Sequence, residues 1–406
     1  MEDIISSMPK DILVIIVSLL PFKQAAQTSV LSRRWRSIWL ATRNIEFDER
    51  HFVKQDEEST ETKENQRSDF IRFARQWIGS YKELVIHKFR LAFSNPANHA
   101  LDMHHCIGFA VARRVKVLDL DFFVPSWSEM SLEDHHGALF GLPLSVYKDF
   151  AENLESLKLF SCNFLVAKFK SFRALKNLSL GWVNLTTSVV TALLTKCPVL
   201  ESLSLKRCWG LDYLDISAPS LTSLVVDKCL YLERGIRVDA RTLRFLKYSG
   251  TVISLRIEDL RSIVEAVLDF GLEFEFRDRG KILRDFLVGV GSCRVLTICS
   301  YILQGYNIDS LLHNHDFMMS ELNDVYPCMT TTLKVVEVKG FKGGIDESLL
   351  LKYFIRYGTV LEKMAITVSK EEDPAGGFRL GLNYRQKAMQ LLLLPRASRR
   401  LATVIS

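Results

Sequence analysis

Several groups of residues in this chain have types and spacings that could do chemistry. His104-His105-Cys106, His135-His136 and His313-Asn314-His315-Asp316 carry atoms that ligate metals. A tetrahedral site needs a second ligand pair at a usual spacing, and none of the three has one. The eight cysteines contain no Cys-x-x-Cys, so nothing marks a zinc ribbon or a dithiol redox pair. Gly340-Phe341-Lys342-Gly343-Gly344 lies between an expected strand and an expected helix, the setting of a phosphate cradle. It has neither Gly-x-Gly-x-x-Gly nor Gly-Lys-Ser/Thr, and it reads as a tight turn. Neither Gly-x-Ser-x-Gly nor His-Glu-x-x-His occurs, and no cysteine stands out as a nucleophile. The expectation is a non-enzyme with no cofactor and no metal.

Composition narrows the partners. At 406 residues the chain should hold two or three domains or a repeat array. It is 48% apolar and 25% charged, the profile of a soluble folded protein. The net charge of +6, from 53 basic and 47 acidic residues, is thin for so large a surface. Nucleic acid needs a dense basic stripe, and Arg33-Arg34-Trp35-Arg36 and Arg396 to Arg400 are too short to form one. The apolar run Ile12 to Leu20 follows Glu2, Asp3 and Asp11 and stops at Pro21. It lacks the basic leader of a signal peptide and is too short to span a bilayer. No membrane association is expected, and the cysteine usage fits a reducing compartment, cytoplasmic and/or nuclear.

The first fifty residues should form three short helices. Pro9 and Asp11 suit a helix start. Ile12, Ile15, Ile16, Leu19 and Leu20 share one helical stripe, while Leu13, Val14 and Val17 lie outside it. A helix apolar nearly all round must be covered on more than one side. A second helix should run from about Lys23 to Val30, and a third should carry Trp35, Ile38 and Trp39 on one face. Three short helices make a poor independent core. Either they cap the domain that follows, or their surplus apolar surface meets a partner.

From Lys54 to Ser68 the chain is almost wholly polar and reads as a solvated linker. A helix through Trp77 and a strand around Ile86 to Phe93 should follow. Then the sequence repeats itself. Leu154-x-x-Leu157-x-Leu159 recurs from Leu175, Leu200, Leu221 and Leu243, at spacings of 21, 25, 21 and 22 residues. Val115-x-x-Leu118-x-Leu120 is an earlier copy, and looser ones start at Cys293, Leu333 and Leu361. These are leucine-rich repeats. Each should supply one strand to a parallel sheet on the concave wall of a solenoid. Cys162, Cys208 and Cys229 fall at the repeat position that prefers Asn or Cys, with Val183 in the equivalent place. They read as small buried packing groups.

Three stretches carry a resemblance. Asp3 to Leu13, Leu19-Leu20-Pro21-Phe22-Lys23 and Thr28 to Trp39 resemble an F-box of the plant type. Leu333 to Gly343, Val360 to Ile366 and Leu394-Pro395-Arg396-Ala397-Ser398 resemble the FBD domain of plant F-box proteins. The expected fold class is α/β: a three-helix F-box (1–48), a charged linker (49–69), a leucine-rich repeat horseshoe (70–330) and an FBD domain closing the solenoid (331–406). The resemblance implies docking on a Skp-type adaptor, and through it on cullin and RING subunits. Carried over by position, the docking residues are Met8, Pro9, Ile12, Leu13, Ile16, Leu20, Val30, Leu31 and Trp35, with Met8 where the family usually has leucine.

The implied function is substrate recognition for a ubiquitin ligase, with an unknown target protein held on the repeats. Alternate side chains of the strands should face that target: Asp119, Asp121, Ser156, Lys158, Phe160, Asn177, Ser179, Ser202, Ser204, Lys206, Ser223 and Asp227. Two alternatives stay open. One is a repeat-based binding module acting without degradation, and the other is an enzyme hosted on the repeats. Recognition assisted by a small molecule, as in some plant F-box repeat proteins, is less expected because the repeats here look fewer and less regular.

Overall fold

The structure is a computed structural model describing residues 4–54, 59–94, 96–122, 139–149, 153–163, 165, 171–229, 232, 234–251, 253–258, 262–270, 293–299, 325, 327–370 and 379–406. The expected metal candidates at 135–136 and 313–316 lie outside the described residues. The chain divides into two compact units, one of residues 1–185 with 192–200, the other of 186–191 with 201–406. Among the described residues no helix is long and apolar enough to cross a membrane.

The first unit opens with helices α1 (Ile4–Ser7), α2 (Lys10–Leu19), α3 (Phe22–Thr28) and α4 (Arg33–Trp39). Pro9 and Pro21 stand at the N-caps of α2 and α3, where the missing N–H is no loss. Ser32 caps α4 by accepting the Trp35 N–H at 3.3 Å. Strands β1 (Asn44–Asp48), β2 (Lys88–Ala92) and β3 (Val117–Asp121) alternate with helices α5 (Thr60–Ser80) and α6 (Ala100–Ala112). After the short strand β4 (Phe140–Gly141) and helix α7 (Leu144–Asp149) come β5 (Ser156–Phe160), β6 (Cys162–Asn163) and β7 (Asn177–Gly181). β1, β2, β3, β5 and β7 pair in that order, all parallel, and β4 pairs with β6. Leu118, Leu157 and Leu178 stand in register, as do Leu120, Leu159 and Leu180, and all six are buried. A strand's inward leucines are covered only by its neighbours in such an array.

Two expectations are corrected here. Residues 44–48, placed with the F-box block, form the first strand of the sheet. The polar stretch expected to be a linker to residue 69 is helical from Thr60. Ser59 caps that helix through the Thr62 N–H, and its inward charges have partners: Glu64 binds His99, and Arg67 lies 3.2 Å from Glu64 and 3.6 Å from Glu49. Polarity marked solvent exposure of one helical face, not absence of structure.

The second unit continues the pattern past α8 (Thr187–Lys196), which falls at the boundary between the units. Its strands in chain order are β8 (Ser202–Lys206), β9 (Leu214–Ser217), β10 (Ser223–Asp227), β11 (Ile236–Asp239), β12 (Phe245–Ser249), β13 (Leu255–Ile257), β14 (Glu265–Asp269) and β15 (Val295–Cys299). Then come α9 (Pro327–Thr331), β16 (Val335–Phe341), α10 (Ile345–Tyr357), β17 (Lys363–Val368), α11 (Arg379–Leu391) and β18 (Ala402–Ile405). β8, β10, β12, β14, β15, β16, β17 and β18 form one parallel ladder. Leu203, Leu224, Leu246, Ala266, Leu296, Val336 and Met364 make one buried row along it. The return segments β9, β11 and β13 pair as a second small parallel sheet. The arrangement in each unit is that of an α/β solenoid. The segment from β16 onward, expected to close the array, extends the ladder by three strands.

The turn after each repeat strand recurs. Ser161, Trp182, Arg207 and Lys228 directly follow β5, β7, β8 and β10 and have φ of 56°, 51°, 50° and 52°. Left-handed backbone costs a non-glycine residue about 1–2 kcal/mol. The return is one more ladder bond at three of these corners: Ser161, Arg207 and Lys228 donate to Gly181, Asp227 and Ser249 carbonyls at 2.9, 2.7 and 2.6 Å. The thiols of Cys162, Cys208 and Cys229 then donate back to the strands, to Phe160 O, Lys206 O and Leu205 O at 3.3, 3.6 and 3.6 Å.

Leu178→Asp places a carboxylate in a leucine row and should abolish the cooperative thermal transition followed by far-UV CD. Asn177→Asp, at the exposed neighbouring position, should shift stability by less than about 0.5 kcal/mol.

Candidate interaction surfaces

Helices α2 to α4 have two apolar sides. One side faces the unit's own core. Leu13, Val14, Val17, Phe22, Ala25, Trp35, Ile38 and Trp39 are all buried. Their packing continues into the sheet through rings: Phe22 lies 6.0 Å from Trp39, 5.9 Å from Phe47 of β1 and 5.8 Å from Trp77 of α5, and Phe47 lies 5.5 Å from Trp77. The last three are edge-to-face pairs, and each such pair contributes about 0.5–1.5 kcal/mol beyond burial. Polar contacts fix the same junction. Ser18 Oγ accepts the Arg43 N–H at 3.1 Å, and Asn44 Nδ2 donates to the Ser18 carbonyl at 2.6 Å.

The other side faces solvent. Ile12, Ile15, Ile16 and Leu19 line the outward stripe of α2, and Val30 and Leu31 are 84% and 65% exposed in the turn between α3 and α4. Arg34 donates to the Met8 carbonyl, which holds that turn beside the start of α2, where Pro9 is exposed and Met8 half-buried. Leu20 is half-buried at the other end. Leu13 and Trp35, also in the expected docking set, are 0% and 8% exposed and pack inside the helix set. The stripe read from helical spacing is the exposed one, and the residues that fell outside it are the buried ones. Ile15 and Leu19 share that exposed stripe and stand outside the expected docking set.

On the sheet's open face the first unit carries an ion-pair lattice. Glu46, Arg90, Asp119, Lys158 and Ser179 stand in one register row, and Asp48, Ala92, Asp121, Phe160 and Gly181 in the next. Arg90 lies 3.3 Å from Glu46, 3.4 Å from Asp119 and 3.8 Å from both Asp48 and Asp121. Lys158 lies 3.4 Å from Asp119 and 4.9 Å from the centroid of the Phe160 ring. That ring rests on Gly181, where a Cβ would approach it to 2.5 Å, so glycine is required by close approach. Asp119 is buried beneath its two cations, and of the expected target-facing residues it is the least accessible. Asn177 is exposed, while Asp121, Lys158, Phe160 and Ser179 are half-buried. In the second unit Ser204, Lys206 and Asp227 are half-buried on the open face, with Lys247 at 3.6 Å from Asp227. Glu46, Asp48, Arg50 and Arg90 were not expected here, because β1 and β2 place Ile and Phe where the other repeats have leucine.

Burial opposes ionisation of Asp48, but hydrogen bonds from the Arg50 side chain and N–H, with the charges of Arg50 and Arg90, outweigh it and hold the carboxyl below its usual range. The other expected chemistry finds ordinary surroundings. His104 Nε2 lies 2.8 Å from the Gly141 carbonyl, and burial pushes the Cys106 thiol up to about 12. The loop 340–344 holds the carboxylate of its own Glu347, which accepts the Lys342 and Gly344 N–H groups at 3.0 and 2.8 Å. The cradle is filled from within.

The F-box domain family matches residues 5–45, the leucine-rich repeats of the FBD-associated F-box protein At5g56370 match residues 110–264, and the FBD family matches residues 321–366. The F-box/LRR-repeat protein At1g56400 of Arabidopsis thaliana is 33% identical over 355 residues, 85% of this chain and 72% of its own length. The F-box protein At3g62230 of the same plant is 30% identical over 421 residues, 89% of this chain and 90% of its own. The FBD-associated F-box protein At5g22730, also from Arabidopsis thaliana, is 25% identical over 468 residues, 98% of this chain and 93% of its own.

Asp48→Asn should destabilise the protein in urea titrations at neutral pH. A carboxyl lowered on folding stabilises above its unfolded pKa and loses that contribution as pH falls. The difference between wild type and variant should therefore shrink below about pH 4.

Proposed function

The chain belongs to the plant F-box/LRR-repeat proteins that carry an FBD domain, and from that premise we propose that it is the substrate-recognition subunit of a Skp–cullin–F-box ubiquitin ligase. One observation carries the reading: helices fastened to the repeats on one side keep a large apolar stripe in water on the other. Contiguous apolar surface of that kind marks an interface. The proposed adaptor surface is Pro9, Ile12, Ile16, Val30 and Leu31, with Met8 and Leu20 at its margins and Ile15 and Leu19 added. Leu13 and Trp35 support it from beneath.

No catalytic residue of its own is needed. The chain acts by holding a target beside the transfer machinery, which raises the target's effective concentration there. The target binds the open face of the repeats, and the work is done in the cytoplasm and/or nucleus. Families with these three domains are typically non-enzymatic adaptors, which agrees with that division of labour.

Leu31→Asp and Ile16→Asp should each weaken binding to a recombinant Skp-type adaptor by on the order of a hundredfold, the scale of a hot-spot loss. Their CD melts should match wild type. Leu13→Asp should instead lose the fold of the helix set. Adaptor binding unchanged in Leu31→Asp would overturn the docking surface. Affinity capture under proteasome inhibition tests the rest: a captured target whose lifetime is the same without this chain would favour a binding module that acts without degradation.

A further inference from the structure

In the first unit one residue per strand lies two positions before the first inward side chain, at the leading edge of the sheet. These residues are Arg43, His87, Lys116, Glu155 and Lys176. Their backbones are bonded in series: His87, Lys116, Glu155 and Lys176 N–H groups donate to the carbonyl of the preceding member at 2.9, 3.1, 2.9 and 2.9 Å. At the usual strand spacing the row runs about 19 Å. All but Glu155 are exposed. Glu155 lies 2.7 Å from Lys116, and the charges of His87 and Lys176 also bear on it. Glu155 is the one carboxylate within the row, and Arg114, exposed beside it, adds a further cation.

Apolar side chains protrude at the same edge. The loop leaving α5 runs from Lys82 to Val85, and Leu84 and Val85 are 85% and 59% exposed. Arg113 Nε donates to the Glu83 carbonyl at 3.1 Å and holds this loop against the end of α6. Arg43 comes near enough to influence the Tyr81 hydroxyl at the loop's start. Isolated exposed leucines are ordinary on a protein surface. Two adjacent apolar side chains inside a band where Arg43, Lys82, Arg114 and Lys116 outnumber Glu83 and Glu155 form a mixed surface with a definite complement.

This edge is separate from the Val30–Leu31 part of the adaptor surface and reaches only its Leu19–Leu20 margin. Arg43 touches Ser18 at the C-terminal end of α2, whereas Arg34 ties the Val30–Leu31 turn to Met8 at the other end. Ten helical residues put about 15 Å between them.

We propose that the leading edge of the first repeats docks an acidic segment of the target protein in which apolar residues are interspersed with Asp and Glu. The inference rests on the reading that the chain recruits a protein target, and it does not depend on adaptor docking. An acidic peptide suits the row better than a nucleic acid. Glu155 interrupts the charge, and Leu84 and Val85 have no ring on which a base could stack.

The test is fluorescence anisotropy on the full chain with a labelled Glu-Glu-Leu repeat peptide, a matched Lys-Lys-Leu peptide and an oligouridylate of similar length. The acidic peptide should bind, more weakly as salt rises, and lose at least about tenfold in Arg43→Glu/Lys116→Glu/Lys176→Glu. Leu84→Ser/Val85→Ser should weaken it with the salt dependence kept, and Glu155→Gln should tighten it, a gain that misfolding cannot mimic. Leu31→Asp should bind the peptide as wild type does, and Lys116→Glu/Lys176→Glu, which leaves Arg43 beside Leu19 intact, should keep its adaptor affinity, so the two surfaces fail separately. Equal binding of the basic peptide, tighter binding of the oligouridylate, or indifference to the triple reversal would overturn the proposal.

Discussion

A repeat strand cannot bury its own inward side chains, and everything else in this molecule follows from that. Leu157 and Leu159 are covered because Leu118 and Leu120 stand on one side and Leu178 and Leu180 on the other. The requirement propagates along each ladder until something other than another strand must cover the exposed end. At the start of the first unit that task falls to α2, α3 and α4, through Phe22, Trp39 and the rings of Phe47 and Trp77. The alternatives of cap and interface are therefore not rivals. The same helices satisfy the sheet with Leu13, Val17 and Ile38 and face solvent with Ile12, Ile16 and Leu31.

The leucine repeats were legible because three inward positions per copy are filled by one residue type at fixed spacing. β1, β2 and β14 obey the same geometry with Ile45 and Phe47, Phe89 and Leu91, Ala266 and Leu268, and the altered residue types hid them. The linker error has a similar origin. Composition registers how much of a segment meets water, while helix formation depends on caps and pairings, here Ser59 with Thr62 and Arg67 with Glu64. The FBD block runs as strand, turn, helix and strand, and Gly358 ends the helix. Its φ of -77° is not left-handed. Glycine is needed there because a Cβ would come within 2.6 Å of the Phe354 carbonyl oxygen.

The adaptor set shows where resemblance and physical reading part. Position-by-position transfer brought Leu13 and Trp35 into a surface, although both lie on the buried side. Helical periodicity alone separated the stripes correctly but could not say which faced inward, because both are apolar. The sheet decided it. The open-face lattice was half seen for a related reason: Asp119, Asp121 and Lys158 came from recognised repeats, while Arg90 and Glu46, which complete their pairing, came from unrecognised ones.

The junction of Ser18 with Arg43 and Asn44, together with the ring cluster beneath it, joins the helices to β1 with no intervening spacer. Within the first unit, anything gripped on α2 and anything gripped along β1 to β7 would be separated by a distance that packing sets, not one that diffusion samples. Such a frame behaves as a ruler. It can favour one reachable point on a bound chain over others nearby, and a volume change as small as one methyl at Phe47 would alter the measurement without touching either grip.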